Sequence, residues 1–95
     1  MKIWLDDRRE PVSEYWWVRS VDDAKKLIKD CERQHVKIEL IDLDYDLGEF
    51  ELRGGCGMRL LEWLHERDTH YPCEVHSTHF WGAPAMDAYI KNNWE

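Results

Sequence analysis

Three short stretches hold most of the side chains able to do chemistry: Asp6-Asp7-Arg8-Arg9, Asp42-Leu43-Asp44-Tyr45-Asp46-Leu47-Gly48 and His76-Ser77-Thr78-His79. Adjacent carboxylates such as Asp6 and Asp7 repel each other, and they are tolerated where water, arginine or a cation neutralises them. As hard oxygen donors they suit Mg²⁺ or Mn²⁺. Helix capping, or pairing with Arg8 and Arg9, is the structural alternative. Asp42, Asp44 and Asp46 alternate, so an extended chain turns all three to one side. Asp44 and Asp46 then stand where a strand gives way to loop and can join Asp6 and Asp7 around one ion. Asp42, deeper in the strand, has the more structural position. A plain Asp-rich turn stopped by Gly48 is the other reading. His76 suits general acid or base work near neutral pH. Ser77 and Thr78 offer hydroxyls to a phosphate. His79 is either a partner of His76 on a transition metal or a solvated loop residue.

The elements that must position these residues alternate in type. Residues 2–5 form a short apolar strand that ends at Asp6, and residues 8–14, with Pro11, read as a loop. Residues 15–19 are aromatic and β-prone, hence a second strand. Ser20 is an N-cap with Asp23 three residues on. Val21, Ala24, Leu27, Ile28 and Cys31 repeat at helical spacing. A third strand over residues 37–43, apolar on both faces, precedes the aspartates. Residues 49–57 form a glycine-rich loop, in which backbone amides before a helix either hold an anion or simply connect. Met58, Leu61 and Leu64 mark a second helix, residues 73–77 a fourth strand, and Gly82 and Pro84 open a third helix. The order β-β-α-β-α-β-α predicts a mainly parallel four-stranded sheet with helices packed on it. In such sheets ligands bind at the carboxyl ends of the strands. Three of the four expected strands end there in acids, histidine or serine. The connection over residues 8–14 is short for a parallel crossover, which usually contains a helix.

Composition narrows the class. The 95 residues make a single domain over residues 1–95, with 43% hydrophobic residues and six tryptophans for one thin core. A formal charge of −7 argues against non-specific nucleic-acid or membrane binding. It leaves room for a nucleotide substrate, since a bound cation inverts the local field. The three cysteines, Cys31, Cys56 and Cys73, are odd in number and form no CxxC pair. They read as free thiols in a reducing compartment, here the cytoplasm. No leader or membrane-spanning run is expected. Trp16, Trp17 and Trp63 read as core; Trp81, after the His-containing strand, is the candidate stacking surface for a base.

In their order and spacing these stretches resemble the cyclic-phosphate processing receiver domain family, a compact relative of response-regulator receivers. The likeness is carried by residues 5–11, residues 43–48, His76-Ser77, Gly82 and Met86. It implies a receiver-like three-layer α/β sandwich without the fifth strand, and so without the lysine of phosphorylation switches. It also implies handling of a cyclic phosphate on a nucleotide or RNA end. Asp6, Asp7 and Asp44 match the acidic metal pocket, and Asp46 and His76 match the family's own additions. Arg9 contacts phosphate in this scheme, and Ser77, Thr78, His79 and Trp81 bind the substrate. Two positions depart from the family pattern: Tyr45 where histidine is usual, and His79 where asparagine is usual. His79 could restore the missing imidazole from the facing strand.

Three functions fit these residues. The first is a Mg²⁺- or Mn²⁺-dependent hydrolase of cyclic phosphodiesters, with His76 protonating the leaving alkoxide and Asp46 assisting. The second is a non-catalytic nucleotide- or protein-binding module, in phage defence or counter-defence. The third is a degenerate phospho-receiver with Asp44 as acceptor.

Overall fold

The structure is a computed structural model that describes residues 1–94. It contains β1 (Lys2–Leu5), β2 (Tyr15–Val18), α1 (Val21–Arg33), β3 (Leu40–Leu43), a 3-10 helix (Gly48–Leu52), α2 (Gly57–Glu66), β4 (Cys73–Val75) and α3 (Gly82–Asn93). The strands lie in the order β2-β1-β3-β4 and every pairing is parallel. This is the parallel α/β sheet that the alternation of elements predicts, and it is consistent with the receiver-like fold that the resemblance implies.

The register explains the core. Ile3 lies beside Ile41, and Leu5 beside Leu43. Side chains alternate along a strand, so these four share one face; all four are fully buried. Val21, Ala24, Ile28 and Cys31 of α1, Leu60, Leu61 and Leu64 of α2 and Met86 of α3 complete the same cluster. The steps β2 to β3 and β3 to β4 run in one direction across the sheet. Right-handed crossovers in one direction place their helices on one face. The Ser20 hydroxyl accepts the Asp23 backbone N–H at 3.1 Å and starts α1 as expected.

The step from β1 to β2 runs the opposite way and crosses the other face without a helix. Residues 6–14 make this crossover as a loop. The Trp4 indole N–H donates to the Arg9 carbonyl at 2.8 Å, and the Trp17 indole N–H to the Asp6 carbonyl at 2.8 Å. Among the described residues, this loop stands where the expected sandwich has its third layer. The sheet face beneath it carries Trp4, Trp17, Asp42 and Glu74, which the register aligns across the four strands.

Some boundaries differ from expectation. The third strand begins to pair only at Leu40. Before it, the terminal ammonium of Met1 binds the Lys37 carbonyl and the Glu39 carboxylate. The second strand ends at Val18 and the fourth at Val75. The expected loop before α2 contains the 3-10 helix. Trp16 and Trp17, read as core, are 60% and 39% exposed, because β2 is an edge strand. No helix of the described residues is long and apolar enough to cross a membrane.

The start of α2 fixes the end of β3. A Cβ on Gly57 would lie 1.9 Å from the Asp44 carbonyl oxygen. That neighbour is backbone and cannot swing aside. Gly57→Ala should therefore destabilise the domain by about 3 kcal/mol, the upper range for overpacking. Equilibrium unfolding in urea measures this, and a loss below about 1 kcal/mol would mean the helix start can slide away from Asp44.

Candidate functional site

Parallel pairing sets the site. Leu5 and Leu43 are register partners, so Asp6 and Asp44 follow them off neighbouring strand ends. The Asp44 backbone N–H donates to the Leu5 carbonyl at 2.9 Å, and the His76 backbone N–H to the Leu43 carbonyl at 3.1 Å. These two bonds extend the ladder past its last regular residues and bring residues 6, 44 and 76 side by side.

At the base of the site lies a buried charge cluster. Asp6 is 2% exposed and Asp42 is 8% exposed. His76 joins them, with Nε2 2.9 Å from Asp6 Oδ2 and Nδ1 2.8 Å from Asp42 Oδ1. The Trp4 ring stacks on the imidazole, with centroids 3.8 Å apart and planes 4° from parallel. The other Asp6 oxygen accepts the backbone N–H groups of Arg8 and Arg9 at 2.9 and 2.8 Å. Burial favours neutral His76, but the hydrogen bonds and charges of Asp42 and Asp6 outweigh it and raise its pKa above 6.5. Burial likewise pushes Asp6 up, yet the two backbone N–H bonds and His76 bring its pKa below 3.8. The two carboxylates therefore favour the protonated form of the ring that sits between them.

Above it opens a cleft of about 690 Å³. Asp6, Asp7, Asp44, Asp46, Arg9, Ser77, Thr78 and His79 all line it, so the structure brings together eight of the ten expected residues. Asp7 has its carboxyl pKa raised, first by burial and then by the charges of Asp6 and Asp44. Asp46 is exposed at the mouth, where its Oδ1 accepts the Gly48 N–H at 2.9 Å. The Ser77 hydroxyl accepts the His79 backbone N–H at 3.1 Å. His79 Nδ1 accepts the Gly82 backbone N–H at 3.0 Å. That bond assigns the neutral ring's proton to Nε2.

Two expected residues stand apart. His76 lies beneath the lining, with both ring nitrogens engaged by carboxylates. Trp81 is 53% exposed and packs edge-on against Tyr45 and His79 outside the lining. The sequence reading gave no role to Arg19, Glu49 or Phe50, which line the cleft, nor to Trp4 beneath it. Arg19 follows the last residue of β2, so the strand-end rule applied to that strand would have found it. Trp4 had no local signal, because its partner His76 is distant in the chain.

The charge cluster predicts a pH dependence. A histidine with a raised pKa adds stability that is complete below its unfolded value near 6.5 and is lost as pH rises through the folded value. His76→Gln should abolish that alkaline loss. It should also cost roughly 3–5 kcal/mol, since two buried carboxylates lose their cation. Unfolding free energies across pH for both proteins, with the imidazole titration followed by NMR, check this; a His76 pKa at or below 6.5 would refute the arrangement.

Comparison with known proteins agrees with the geometry. No curated protein and no solved structure matches the chain significantly. The profile described as cyclic-phosphate processing receiver domain matches residues 1–92, nearly the full length. With its parallel sheet and its acids gathered at the strand ends, this chain belongs to the cyclic-phosphate processing receiver domain family.

Proposed function

We propose that the cleft binds a cyclic phosphodiester on a nucleotide or RNA end and hydrolyses it with the help of Mg²⁺ or Mn²⁺. The observation that carries this reading is the grouping at the cleft floor. A carboxylate oxygen of Asp6 and one of Asp44 lie within 4.8 Å of each other, and Asp7 lines the cleft beside them; His76, next to them, has both ring nitrogens on carboxylates and is not a ligand.

The donor set fits a hard divalent cation. Asp6, Asp7 and Asp44 offer carboxylate oxygens. The pKa of Asp7 is raised first by burial and then by the charges of Asp6 and Asp44, and a cation relieves the charge crowding. These three aspartates would hold the ion. When bound, such an ion polarises a phosphoryl group and lowers the pKa of a water. The chain's own residues do the rest. Arg9, Ser77 and Thr78 steady phosphoryl oxygens along the lining. Asp46, exposed at the mouth, is placed to accept a proton. His76 keeps its protons on Asp6 and Asp42, so its first task is to hold Asp6 in place; it becomes an acid only when its Nε2 proton leaves Asp6. His79 presents an Nε2–H at the wall without that constraint. Trp81, edge-on to His79 with centroids 4.6 Å apart, is placed to carry a base at the rim.

One observation favours a second reading. His76 has no free ring nitrogen, which suits a module that holds a phosphate without turning it over. A panel of 2′,3′- and 3′,5′-cyclic nucleotides and cyclic-phosphate RNA ends, assayed with Mg²⁺, Mn²⁺ or EDTA, separates the two. Ring opening should require the metal and should fall at least about a hundredfold in Asp44→Asn. Full activity in EDTA would sink the metal scheme; binding without any ring opening would leave the binding module.

A further inference from the structure

Arg19 is built into the cleft in a way that no other cation there is. Its Nε and Nη2 both donate to the Asp7 carbonyl, at 2.9 and 2.6 Å. Its guanidinium carbon lies 5.2 Å from the centroid of the Trp17 ring and 4.8 Å from that of Phe50. A carbonyl and two rings therefore fix the group, and cation–π attraction to both rings adds to the hold. A guanidinium carries five N–H donors. The clamp on Asp7 uses two of them, which leaves three on a side chain that lines the cleft.

We propose that Arg19 is the principal anion-binding residue of this site, gripping phosphoryl oxygens with the N–H groups that its clamp on Asp7 leaves over. The proposal rests on reading the cleft as a phosphate site and deepens it. Arg8 and Arg9 also line the cleft and are exposed, as Arg19 is, but of the three only the Arg19 side chain is held by hydrogen bonds among the described residues. A free arginine loses much of its rotamer freedom on gripping a ligand, whereas Arg19 is already ordered. Its planar fork matches two oxygens of one phosphate at once.

The charge balance of the cleft sets the conditions for binding. Asp6, Asp7, Asp44, Asp46 and Glu49 face three arginines there. Acids outnumber cations, so a phosphate should bind well only when a divalent cation is also present. Arg19 also opposes that cation. Removing its charge should weaken an anion and tighten a metal. A residue that merely braced Asp7 would behave differently, because its loss would loosen the acidic pocket and weaken both.

The test compares wild-type protein with Arg19→Gln and Arg19→Lys. Inorganic phosphate is titrated by calorimetry with and without Mg²⁺, and Mn²⁺ affinity is read separately by electron paramagnetic resonance. In Arg19→Gln, phosphate affinity should fall about tenfold or more, the worth of a charge-assisted hydrogen bond. Mn²⁺ affinity in the same variant should hold or rise. Arg19→Lys should lie between, since it keeps the charge and loses the fork. Parallel loss of both affinities would make Arg19 a brace and overturn the proposal. An unchanged phosphate affinity, or full rescue by lysine, would overturn it as well, and so would the failure of wild-type protein to bind phosphate under either condition. Absence of turnover alone would count against the hydrolase while leaving the phosphate readout intact.

Discussion

Asp6, His76 and Asp42 reach from three neighbouring strand tracks to share two ring protons beneath the Trp4 indole. Buried carboxylates are costly unless they are paired and hydrogen-bonded. Here a single imidazole ring is the shared partner of two of them, so the arrangement holds only while all three tracks keep their order. The constraint then propagates in a ring. The second Asp6 oxygen takes the Arg8 and Arg9 backbone N–H groups, which turns the crossover loop over the sheet. The loop returns its Arg9 carbonyl to the Trp4 indole. Trp4 in turn covers His76. A loop without helical hydrogen bonds thus gains fixed partners over residues 6–9, and the domain keeps a parallel β1–β2 pair without the usual crossover helix.

The same cluster decides which acids are left to meet a ligand. Asp6 lines the cleft, but both its oxygens already accept hydrogen bonds. Asp7 and Asp44 are less committed, and close backbone packing sets their positions. Gly48, at φ 57°, brings the chain so near Asp7 that an added Cβ would stand 2.8 Å from its Oδ2. This is the left-handed region in which glycine carries no steric penalty. Gly57 plays the matching part behind the Asp44 carbonyl. Gly48, which stops the Asp-rich turn, and Gly57, at the end of the glycine-rich loop, thus let the chain close on Asp7 and on the Asp44 carbonyl.

Much of this was legible in the sequence. Alternation of strand and helix patterns gave the element order, Ser20 gave the start of α1, and the acids at strand ends gave the cleft wall. Those signals are local, since periodicity, caps and strand ends are written within a few residues. Pairings between distant residues have no such signature. His76 and Asp42 are 34 positions apart, and His76 and Asp6 are 70 apart. Reading His76 as a residue facing the ligand was natural from its strand-end position. Its burial follows from the side-chain parity it shares with Trp4 and Asp42, which only the sheet register reveals. Arg19 escaped because charge on an exposed strand end looks like solvation until the rings of Trp17 and Phe50 are seen on it. The face on which each helix packs has no local signature either, because the direction of each crossover is set by strand order rather than by strand pattern.

The two departures from the family pattern, Tyr45 and His79, meet in space. Their ring centroids are 4.8 Å apart. Tyr45 packs beneath the first turn of α3, where a Cβ on Gly82 would lie 2.4 Å from its ring. Burial, and then the neighbouring Cys56, raise its hydroxyl pKa, so it stays neutral. Gly82 serves both residues, since its lack of a side chain admits the Tyr45 ring and its backbone N–H holds His79 Nδ1. A tyrosine at position 45 thus fills space under the helix, while an imidazole still stands on the cleft wall, offered from the loop after β4 rather than from the loop after β3. The two substitutions are coupled through one glycine, and changing either alone would disturb the packing that orients the other.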